Sequence, residues 1–401
     1  MKTTDTDKIL EIEPATLKQK IDRGEDIFIL DVRTPEEYEA WKISYDKHKD
    51  LSLIPIDQLS SQQALNQIPR DKEIVTVCSH GYRSMMAAEF LTELGYNVRS
   101  VKGGMSGWNK VYDVVSIPVR SNLSIKIWQV RRVSKGCMGY VIASEVDKNA
   151  VIIDPNCEIA ESFVRIANDN DLRVTKVIET HMHADHASAA TSLAKTFGAV
   201  VYASSKESYD IQNKNSYNGE VTFYRIEDGD QIMVGQGIVL DAIHTPGHTK
   251  GSMCFWLEDK KSDNNDNHAS TCYLFTGDTI FIDGIGRPDL HSQVEEFTSN
   301  LYDSYHQKIL TFPNETVILP AHFGKRFEHN KPIFSTIESI RKDLTFLSLG
   351  KGEFINYVSN AIPPQPINYK IILRINKTMT PCHEVQTGEL EAGPNSCGIP
   401  A

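Results

Sequence analysis

Short runs of apolar residues alternate with amphipathic stretches in the first part of the chain. Ile27–Asp31 and residues 74–77 are short and rich in β-branched residues, which predicts two buried strands. Segment 85–94 has apolar residues at helical spacing and is followed by Gly95, a residue that commonly ends a helix. Because strands that alternate with helices form parallel sheets, we predict an α/β domain over residues 9–118.

A second pattern begins near residue 123. Several β-rich runs come first, and mixed strands and helices continue to about residue 345. Mostly antiparallel strands interleaved with helices predict two packed sheets with helices outside, an α+β (αββα) domain over residues 123–345. Residues 260–270 are polar and rich in Asn and Asp, which predicts an exposed hairpin loop.

The last part of the chain, residues 346–401, is predicted to pack on the second domain and to end in a loose tail from residue 381. The seven cysteines have no regular spacing, so they do not indicate a disulfide framework. We therefore interpret Cys382 and Cys397 as free thiols and expect a reducing compartment.

Charge and hydropathy limit the partners that this chain can have. The 401 residues include 53 acidic and 42 basic residues, and the net charge of −11 disfavours binding to nucleic-acid phosphates. No run of 18 apolar residues occurs, and the first 20 residues lack a basic-then-apolar signal. We expect a cytoplasmic protein with no nucleic-acid and no membrane partner, and the sequence leaves a homo-oligomer open.

Metal-ligating side chains cluster in the second domain. A run of six residues directly after the predicted strand 174–180 holds three imidazoles and a carboxylate, namely His181, His183, Asp185 and His186. Such groups rarely pack into a core without polar partners, and they are the usual ligands of zinc and non-haem iron. Three later residues also follow predicted strands, namely His248, Asp278 and His322. The pattern predicts a metal site where these strands end.

A reactive sulfur is predicted in the first domain, between strand 74–77 and the following helix. Cys78 lies at the N-terminus of that helix, where unpaired N–H groups and the helix dipole favour an anionic sulfur. Arg83 adds positive charge, so we predict that both residues are catalytic. The other loop residues are predicted to bind the sulfur substrate, namely Ser79, His80, Gly81, Tyr82 and Ser84.

Residues 9–115 resemble rhodanese sulfurtransferases. The matching features, in family order, are Asp31-Val-Arg33 with Glu36-Glu37-Tyr38, the loop from Cys78 to Arg83, and Gly103-Gly-Met-Ser-Gly-Trp108. The resemblance implies a six-residue loop sized for a persulfide sulfur, one residue shorter than the phosphate loop of related phosphatases. The chain departs from the family at Trp41-Lys-Ile-Ser-Tyr45, which replaces Gly-His-Ile-Pro-Gly, so packing near the loop is expected to differ.

Residues 125–345 resemble the metallo-β-lactamase superfamily, because the seven residues of the predicted metal site match its ligand signature in order. The resemblance implies an αββα sandwich with metal at one edge, and it leaves the reaction open. Glyoxalase II enzymes of this superfamily hold two metals and hydrolyse a thioester. Persulfide dioxygenases hold one iron through the equivalents of His181, His248 and Asp278. The remaining residues are His183, Asp185, His186 and His322. They would hold a second metal in the first class or support the iron ligands through hydrogen bonds in the second.

The segment after Asp278 favours the dioxygenase. Residues 284–290 are similar to the Gly-Arg-x-Asp segment of persulfide dioxygenases, which implies that Arg287 binds an anionic thiol substrate. Asp289 would anchor the loop or support a metal ligand. The alternative that Arg287 and Asp289 form an ion pair that only stabilises the turn stays open. The chain departs from the known dioxygenases after His322, where Phe323-Gly-Lys325 replaces an Asp-Tyr pair.

Together the two resemblances imply an iron-dependent persulfide dioxygenase with one Fe(II) per chain. It would oxidise a small thiol persulfide such as glutathione persulfide with O₂ to sulfite and thiol. Cys78 would take sulfur from a sulfane donor such as thiosulfate. The alternative is a glyoxalase II-like thioester hydrolase with two Zn. A non-catalytic persulfide carrier or sensor is disfavoured, because the metal ligands and the Cys78 loop are complete.

Overall fold

The computed structural model describes residues 10–43, 51–119, 124–210, 215–218, 221–258, 272–290, 293–324, 327–393 and 397–401. The predicted loop at 260–270, residues 44–45 of the departure after Trp41, and Lys325 lie outside the described residues. None of the described helices is long and apolar enough to cross a membrane.

The first domain is a parallel sheet flanked by helices. Its elements are β1 (Glu11–Ile12), α1 (Pro14–Asp22), β2 (Ile27–Asp31), α2 (Pro35–Ala40), β3 (Leu51–Leu53), α3 (Gln62–Leu65), β4 (Glu73–Val77), α4 (Tyr82–Glu93), β5 (Val98–Val101) and α5 (Gly104–Trp108). The strand order is β1-β5-β4-β2-β3, and every pair is parallel. Gly81, with a φ of 96°, precedes α4 and allows the sharp turn from β4 into the helix.

The second domain is a sandwich of two sheets. Its elements are β6 (Tyr112–Ser116), β7 (Ile125–Arg132), β8 (Met138–Ser144), β9 (Asn149–Ile153), α6 (Ala160–Asp169), β10 (Arg173–Ile178), α7 (Ala190–Phe197), β11 (Val200–Ser204), β12 (Asn215–Asn218), β13 (Val221–Ile226), β14 (Gln231–Gly235), β15 (Ile238–His244), β16 (Met253–Glu258), β17 (Cys272–Gly277), β18 (Gly284–Gly286), α8 (Val294–Gln307), β19 (Val317–Pro320), β20 (Ser335–Thr336) and α9 (Ile337–Asp343). One sheet has the order β12-β13-β11-β10-β9-β8-β7-β6, and the other has the order β14-β15-β16-β17-β19-β20. Buried residues of both sheets, such as Ile142 and Phe255, share one core cluster.

The two domains share a boundary and a core. The first domain is predicted to extend to residue 118, but β6 pairs antiparallel with β7, so the chain enters the second sheet at Tyr112. Trp108 of the first domain and Phe323 of the second are buried in the same apolar cluster. The indole N–H of Trp41 donates to the carbonyl of Ser134 at 3.3 Å, so the family departure at Trp41 contributes to the domain contact.

The C-terminal extension packs against the second domain over the described residues. Its elements are α10 (Lys351–Ala361), α11 (Tyr369–Lys377), α12 (Thr387–Leu390) and β21 (Gly398–Pro400). The end of the chain is not the predicted loose tail, because β21 pairs antiparallel with β18 and Cys397 and Ile399 are buried. The prediction that Cys382 is a free thiol is wrong, since Cys382 forms a disulfide with Cys157 across 225 residues of sequence.

Candidate metal centre

Three buried side chains converge at the edge of the sandwich. His181 follows β10, His248 follows β15, and Asp278 follows β17 directly. The Asp278 Oδ2 atom lies 3.6 Å from Nε2 of His181 and 3.5 Å from Nε2 of His248. Within the described part of the chain, neither Nε2 of His181 nor Oδ2 of Asp278 has a hydrogen-bond partner, although both are buried. Buried polar atoms rarely lack partners, so these three residues, called the triad below, fit a metal ion.

Hydrogen bonds at the other ring nitrogen orient the two triad histidines. His248 Nδ1 lies 2.8 Å from the carbonyl oxygen of Arg287, and a ring nitrogen that donates to a carbonyl fixes the tautomer whose Nε2 lone pair can bind a metal. His181 Nδ1 lies 2.8 Å from Oγ1 of Thr180, whose hydroxyl donates to Asp154. Burial and then the neighbouring imidazoles lower the pKa of His181 well below its usual value, which favours the neutral ligand form.

Two buried carboxylates hold the loops that carry these histidines. Asp154 accepts hydrogen bonds from the N–H of Thr180 at 2.8 Å and from its hydroxyl at 2.7 Å. Glu207 accepts from the N–H of Met182 and from the hydroxyl of Thr249, each of which is adjacent in sequence to a triad histidine. Neither carboxylate was predicted as a site residue. For Asp154 its position directly after β9 was an available signal.

His183 lies beside the triad and faces two buried carboxylates. Its Nε2 lies 3.2 Å from Oδ1 of Asp154 and 3.3 Å from Oε2 of Glu179. Burial lowers the pKa of His183, but the two carboxylates outweigh burial and raise it well above its usual value. Within the described residues neither ring nitrogen of His183 has a hydrogen-bond partner of normal geometry.

A second set of donor atoms lies beside the triad. Cys137 Sγ and His322 Nε2 lie 3.1 Å and 2.9 Å from Oδ2 of Asp185, and His186 Nδ1 lies 3.0 Å from Oδ1 of the same carboxylate. All four residues are buried, and their donor atoms lie within 4.8 Å of one another. His322 also joins the two sets, because its Nδ1 lies 2.6 Å from Oδ1 of Asp278. Cys137 was not predicted as a site residue.

The C-terminal extension stabilises the loop of residues 181–188, which carries His181, His183, Asp185 and His186. The side-chain amide of Asn376 donates to the carbonyls of His183 and His186, both at 2.8 Å, and its oxygen accepts from the N–H of Ser188 at 2.9 Å. Asn376 is 3% exposed, so these three backbone groups have no easy substitute in water.

We predict that Asn376→Ala lowers the free energy of unfolding by about 2–4 kcal/mol, because it leaves buried backbone groups without partners. Urea unfolding monitored by circular dichroism measures this change. Asn360→Ala is the matched control, because Asn360 is exposed on α10 and should change stability by less than about 0.5 kcal/mol. Equal effects of the two substitutions would contradict the structural role of Asn376.

The end of the chain also brings a thiol to the metal centre. The donor atoms of Cys397, Asp278 and His322 lie within 4.8 Å of one another, and Cys397 is fully buried. Glu391, fully buried as well, accepts a hydrogen bond at 2.8 Å from the N–H of Ala187, directly after the metal-binding run. Nothing in the sequence pattern placed Cys397 at this site.

Arg287, which is predicted to bind the substrate, lies in a buried ion pair. Its guanidinium is fully buried and donates to both carboxylate oxygens of Asp289 at 2.6 and 2.9 Å. It also donates to the carbonyls of Pro363 and Pro364 at 2.6 and 3.0 Å. These contacts place the guanidinium charge inside the protein. The ion pair between Arg287 and Asp289 holds this loop in place, and the backbone carbonyl of Arg287 orients His248. Asp289 therefore acts on the site through Arg287.

The Cys78 sulfur lies in the loop between β4 and α4. Cys78 is 1% exposed, and its Sγ accepts hydrogen bonds from the N–H of Gly81 at 3.1 Å and from the hydroxyl of Ser84 at 3.4 Å. The structure therefore brings two of the predicted substrate-binding residues to the sulfur. The side chains of His80 and Tyr82 are exposed.

Arg83 belongs to an ion pair that braces the same loop. Its guanidinium donates to both carboxylate oxygens of Glu37 at 2.8 and 2.6 Å and to the hydroxyl of Ser79 at 3.1 Å. Hydrogen bonds from Arg83 are the main reason why the pKa of Glu37 falls to about 2. Glu37 was not predicted as a site residue, although it lies in the quoted Glu36-Glu37-Tyr38 segment.

A cleft of about 430 Å³ lies between the domains and reaches the metal centre. Trp41 and Lys42 line it from the first domain, and Phe281, His322 and Ile399 line it from the rest of the chain. The short helix α2 carries Glu37 beside the Cys78 loop and ends at the wall of this cleft. Helix α2 therefore links the Cys78 loop to the cleft that reaches the metal centre.

Known proteins match both halves of the chain. Residues 13–111 match the rhodanese-like domain, and residues 135–322 match the metallo-beta-lactamase superfamily. The mitochondrial persulfide dioxygenase ETHE1 of Bos taurus is 30% identical over 234 residues, which cover 58% of this chain and 80% of that protein. The probable polyketide biosynthesis zinc-dependent hydrolase BaeB of Bacillus velezensis is 30% identical over 223 residues, covering 54% of this chain and 85% of that protein.

The crystal structure of ETHE1 from Myxococcus xanthus superposes with a TM-score of 0.50 at 27% identity, covering 62% of this chain and 96% of that one. These similarities confirm the predicted fold of both domains. The chain belongs to the metallo-beta-lactamase superfamily and carries a rhodanese-like domain ahead of its metallo-beta-lactamase domain.

Proposed function

We propose that this protein is an iron-dependent persulfide dioxygenase that is coupled to rhodanese-type sulfur transfer through Cys78. The observation that carries the proposal is the convergence of the triad. His181, His248 and Asp278 offer one metal three protein ligands, while Nε2 of His183 lies 3.2 and 3.3 Å from carboxylate oxygens of Asp154 and Glu179. Two imidazoles and one carboxylate with open positions are the usual ligands of non-haem iron oxygenases.

Iron(II) in the triad would supply a centre at which a persulfide sulfur and O₂ meet. The protein's own residues orient the ligands and exclude water. His322 hydrogen-bonds Oδ1 of Asp278, which leaves Oδ2 directed at the two triad histidines. The balanced reaction is RSSH + O₂ + H₂O → RSH + SO₃²⁻ + 2 H⁺. Similarity to ETHE1 proteins supports this choice of substrate.

The first domain would supply sulfane sulfur. The Cys78 thiolate attacks thiosulfate, forms a cysteine persulfide and releases sulfite, so one S–S bond forms as another breaks. The N–H of Gly81 and the hydroxyl of Ser84 already point at the sulfur and would hold the persulfide. A small thiol such as glutathione would then carry the sulfur to the triad, and the interdomain cleft offers a route.

We expect the full-length, iron-loaded protein to consume about one O₂ per glutathione persulfide and to release sulfite, with about one iron bound in the triad. An oxygen electrode, sulfite detection and metal analysis measure these quantities on one sample. Absence of O₂ uptake from protein that holds its iron would refute the proposal.

A zinc-dependent thioester hydrolase is the second candidate, and the similarity to BaeB favours it. It predicts that protein purified without added metal holds zinc in the triad and hydrolyses glutathione thioesters without consuming O₂. The two candidates are therefore separated by the metal content of the triad and by O₂ uptake.

A further inference from the structure

A disulfide lies at the end of the loop of residues 181–188. Cys157 and Cys382 are bonded across 225 residues of sequence, and their sulfur atoms lie 3.2 and 4.0 Å from the carbonyl oxygen of Ser188. The backbone N–H of Cys157 donates to the carbonyl of Ala187 at 2.9 Å. One half of the disulfide is therefore attached to the last residues of the loop that carries the metal-site histidines.

The other half of the disulfide belongs to the C-terminal extension. Cys382 lies between Asn376 and Glu391 in the sequence, and both of these buried side chains hydrogen-bond backbone groups of the same loop. The N–H of Cys382 also donates to the hydroxyl of Ser192 on α7 at 2.8 Å. The S–S bond is thus the covalent member of a set of contacts that hold the extension on the loop.

The disulfide is more accessible than the other sulfur atoms of the cysteines. Cys157 and Cys382 are only partly buried, whereas the five free cysteines are buried. Thiol exchange requires that a thiolate reach a sulfur of the S–S bond, and accessible disulfides are the labile or regulatory ones. A small thiol in solvent can therefore attack this bond without prior opening of a protein core.

We propose that Cys157 and Cys382 form a thiol-exchange site that regulates the metal centre. A small thiolate attacks one of the two sulfurs, so that a mixed disulfide forms and the other cysteine leaves as a thiolate. A second small thiol then releases the first cysteine. The balanced change is that two small thiols are oxidised to one disulfide while the protein S–S bond is reduced to two thiols.

Reduction changes how the extension is held. Without the S–S bond, the stretch that carries Asn376 and Glu391 stays on the loop through hydrogen bonds and packing alone. Segments held by fewer contacts open locally at a lower free-energy cost. The loop of residues 181–188 then opens more often, and the triad holds its metal less tightly. The inference does not depend on which metal the triad holds or on the reaction there.

Hydrogen exchange of the full-length, metal-loaded protein tests this inference, with mass spectrometry of a peptide that contains residues 183–188. After reduction with excess glutathione, we expect this peptide to exchange at least about tenfold faster, because local opening no longer requires a broken S–S bond. Differential alkylation of the same samples identifies Cys157 and Cys382 as the cysteines that glutathione reduces. Metal analysis after desalting measures the accompanying loss of metal.

Two variants serve as controls. The double variant Cys157→Ser/Cys382→Ser has no S–S bond, so its peptide should exchange at the faster rate with and without glutathione. Cys272→Ser keeps the disulfide, because Cys272 lies at the start of β17, and it should respond to glutathione as the unsubstituted protein does.

Three results would overturn the proposal, and the first two need no variant that folds. Alkylation of Cys157 and Cys382 without any reductant would show that the S–S bond does not form. Reduction of the bond with unchanged exchange of residues 183–188 would show that it does not control the loop. An equal response of the double variant to glutathione would show that the thiol acts by removing the metal.

Discussion

The Asp278→Ala variant is expected to lose its triad metal and at least about 1,000-fold of its persulfide-dependent O₂ uptake. Substitution of groups that only support metal ligands costs about 10–100-fold in metal affinity or activity, so loss of a ligand should cost more. Asp278 has two roles that alanine removes together. Its Oδ2 faces His181 and His248, and its Oδ1 pairs with Nδ1 of His322 at 2.6 Å.

Metal analysis after desalting and an oxygen electrode measure both effects in the same preparation. Asp169→Ala is the control, because Asp169 lies exposed at the end of α6 and should leave both quantities unchanged. Far-UV circular dichroism checks that both variants are folded. A folded Asp278→Ala protein that keeps its metal and loses less than tenfold in O₂ uptake would show that other residues hold the working metal.

Local patterns predicted most of the elements that carry the two sites. The strand Ile27–Asp31 occurs as predicted, and the helix predicted over 85–94 occurs as α4, three residues longer at its N-terminus. Helix α7 follows residues 181–186, and Gly198 ends it in a left-handed conformation. These elements depend on nearby residues, so hydrophobic spacing and capping residues are sufficient to find them.

Long-range pairing explains what the sequence could not show. The first domain is predicted to extend to residue 118, yet β6 pairs with β7 and joins the second domain. Cys157 and Cys382 are 225 residues apart, and no spacing rule links them. Cys397 lies in a segment whose composition predicts a loose tail, but pairing of β21 with β18 buries it.

At the metal centre, too, local patterns predicted some features and long-range contacts determined the others. Residue types and strand ends predicted which side chains lie near one another, because the strands of both sheets that precede them end at one edge of the sandwich. They did not predict which buried partners each of these side chains has. These partners come from distant segments, such as Asp154 for His183 and Cys137 for Asp185. Arg287 illustrates the limit, since its charge suggested a substrate contact while Asp289 already neutralises it.

The Cys78→Ser variant is expected to lose at least about 1,000-fold of its thiosulfate sulfurtransferase activity, because a serine hydroxyl is a far weaker nucleophile than a thiolate. Serine has nearly the same shape, so the hydrogen bonds from Gly81 and Ser84 and the packing of the loop should persist. Cyanide-dependent thiocyanate formation from thiosulfate measures the loss. Cys272→Ser, another buried cysteine, should retain full activity.

The same variant separates the two domains. When glutathione persulfide is supplied directly, O₂ uptake by Cys78→Ser should stay within about twofold of the unsubstituted protein, because the triad is complete. When thiosulfate and glutathione are supplied instead, O₂ uptake should fall as far as the sulfurtransferase activity does. Equal O₂ uptake by both proteins in the thiosulfate assay would contradict the coupling. A loss with supplied persulfide would instead mean that sulfur reaches the triad through Cys78 itself, across the cleft that α2 borders.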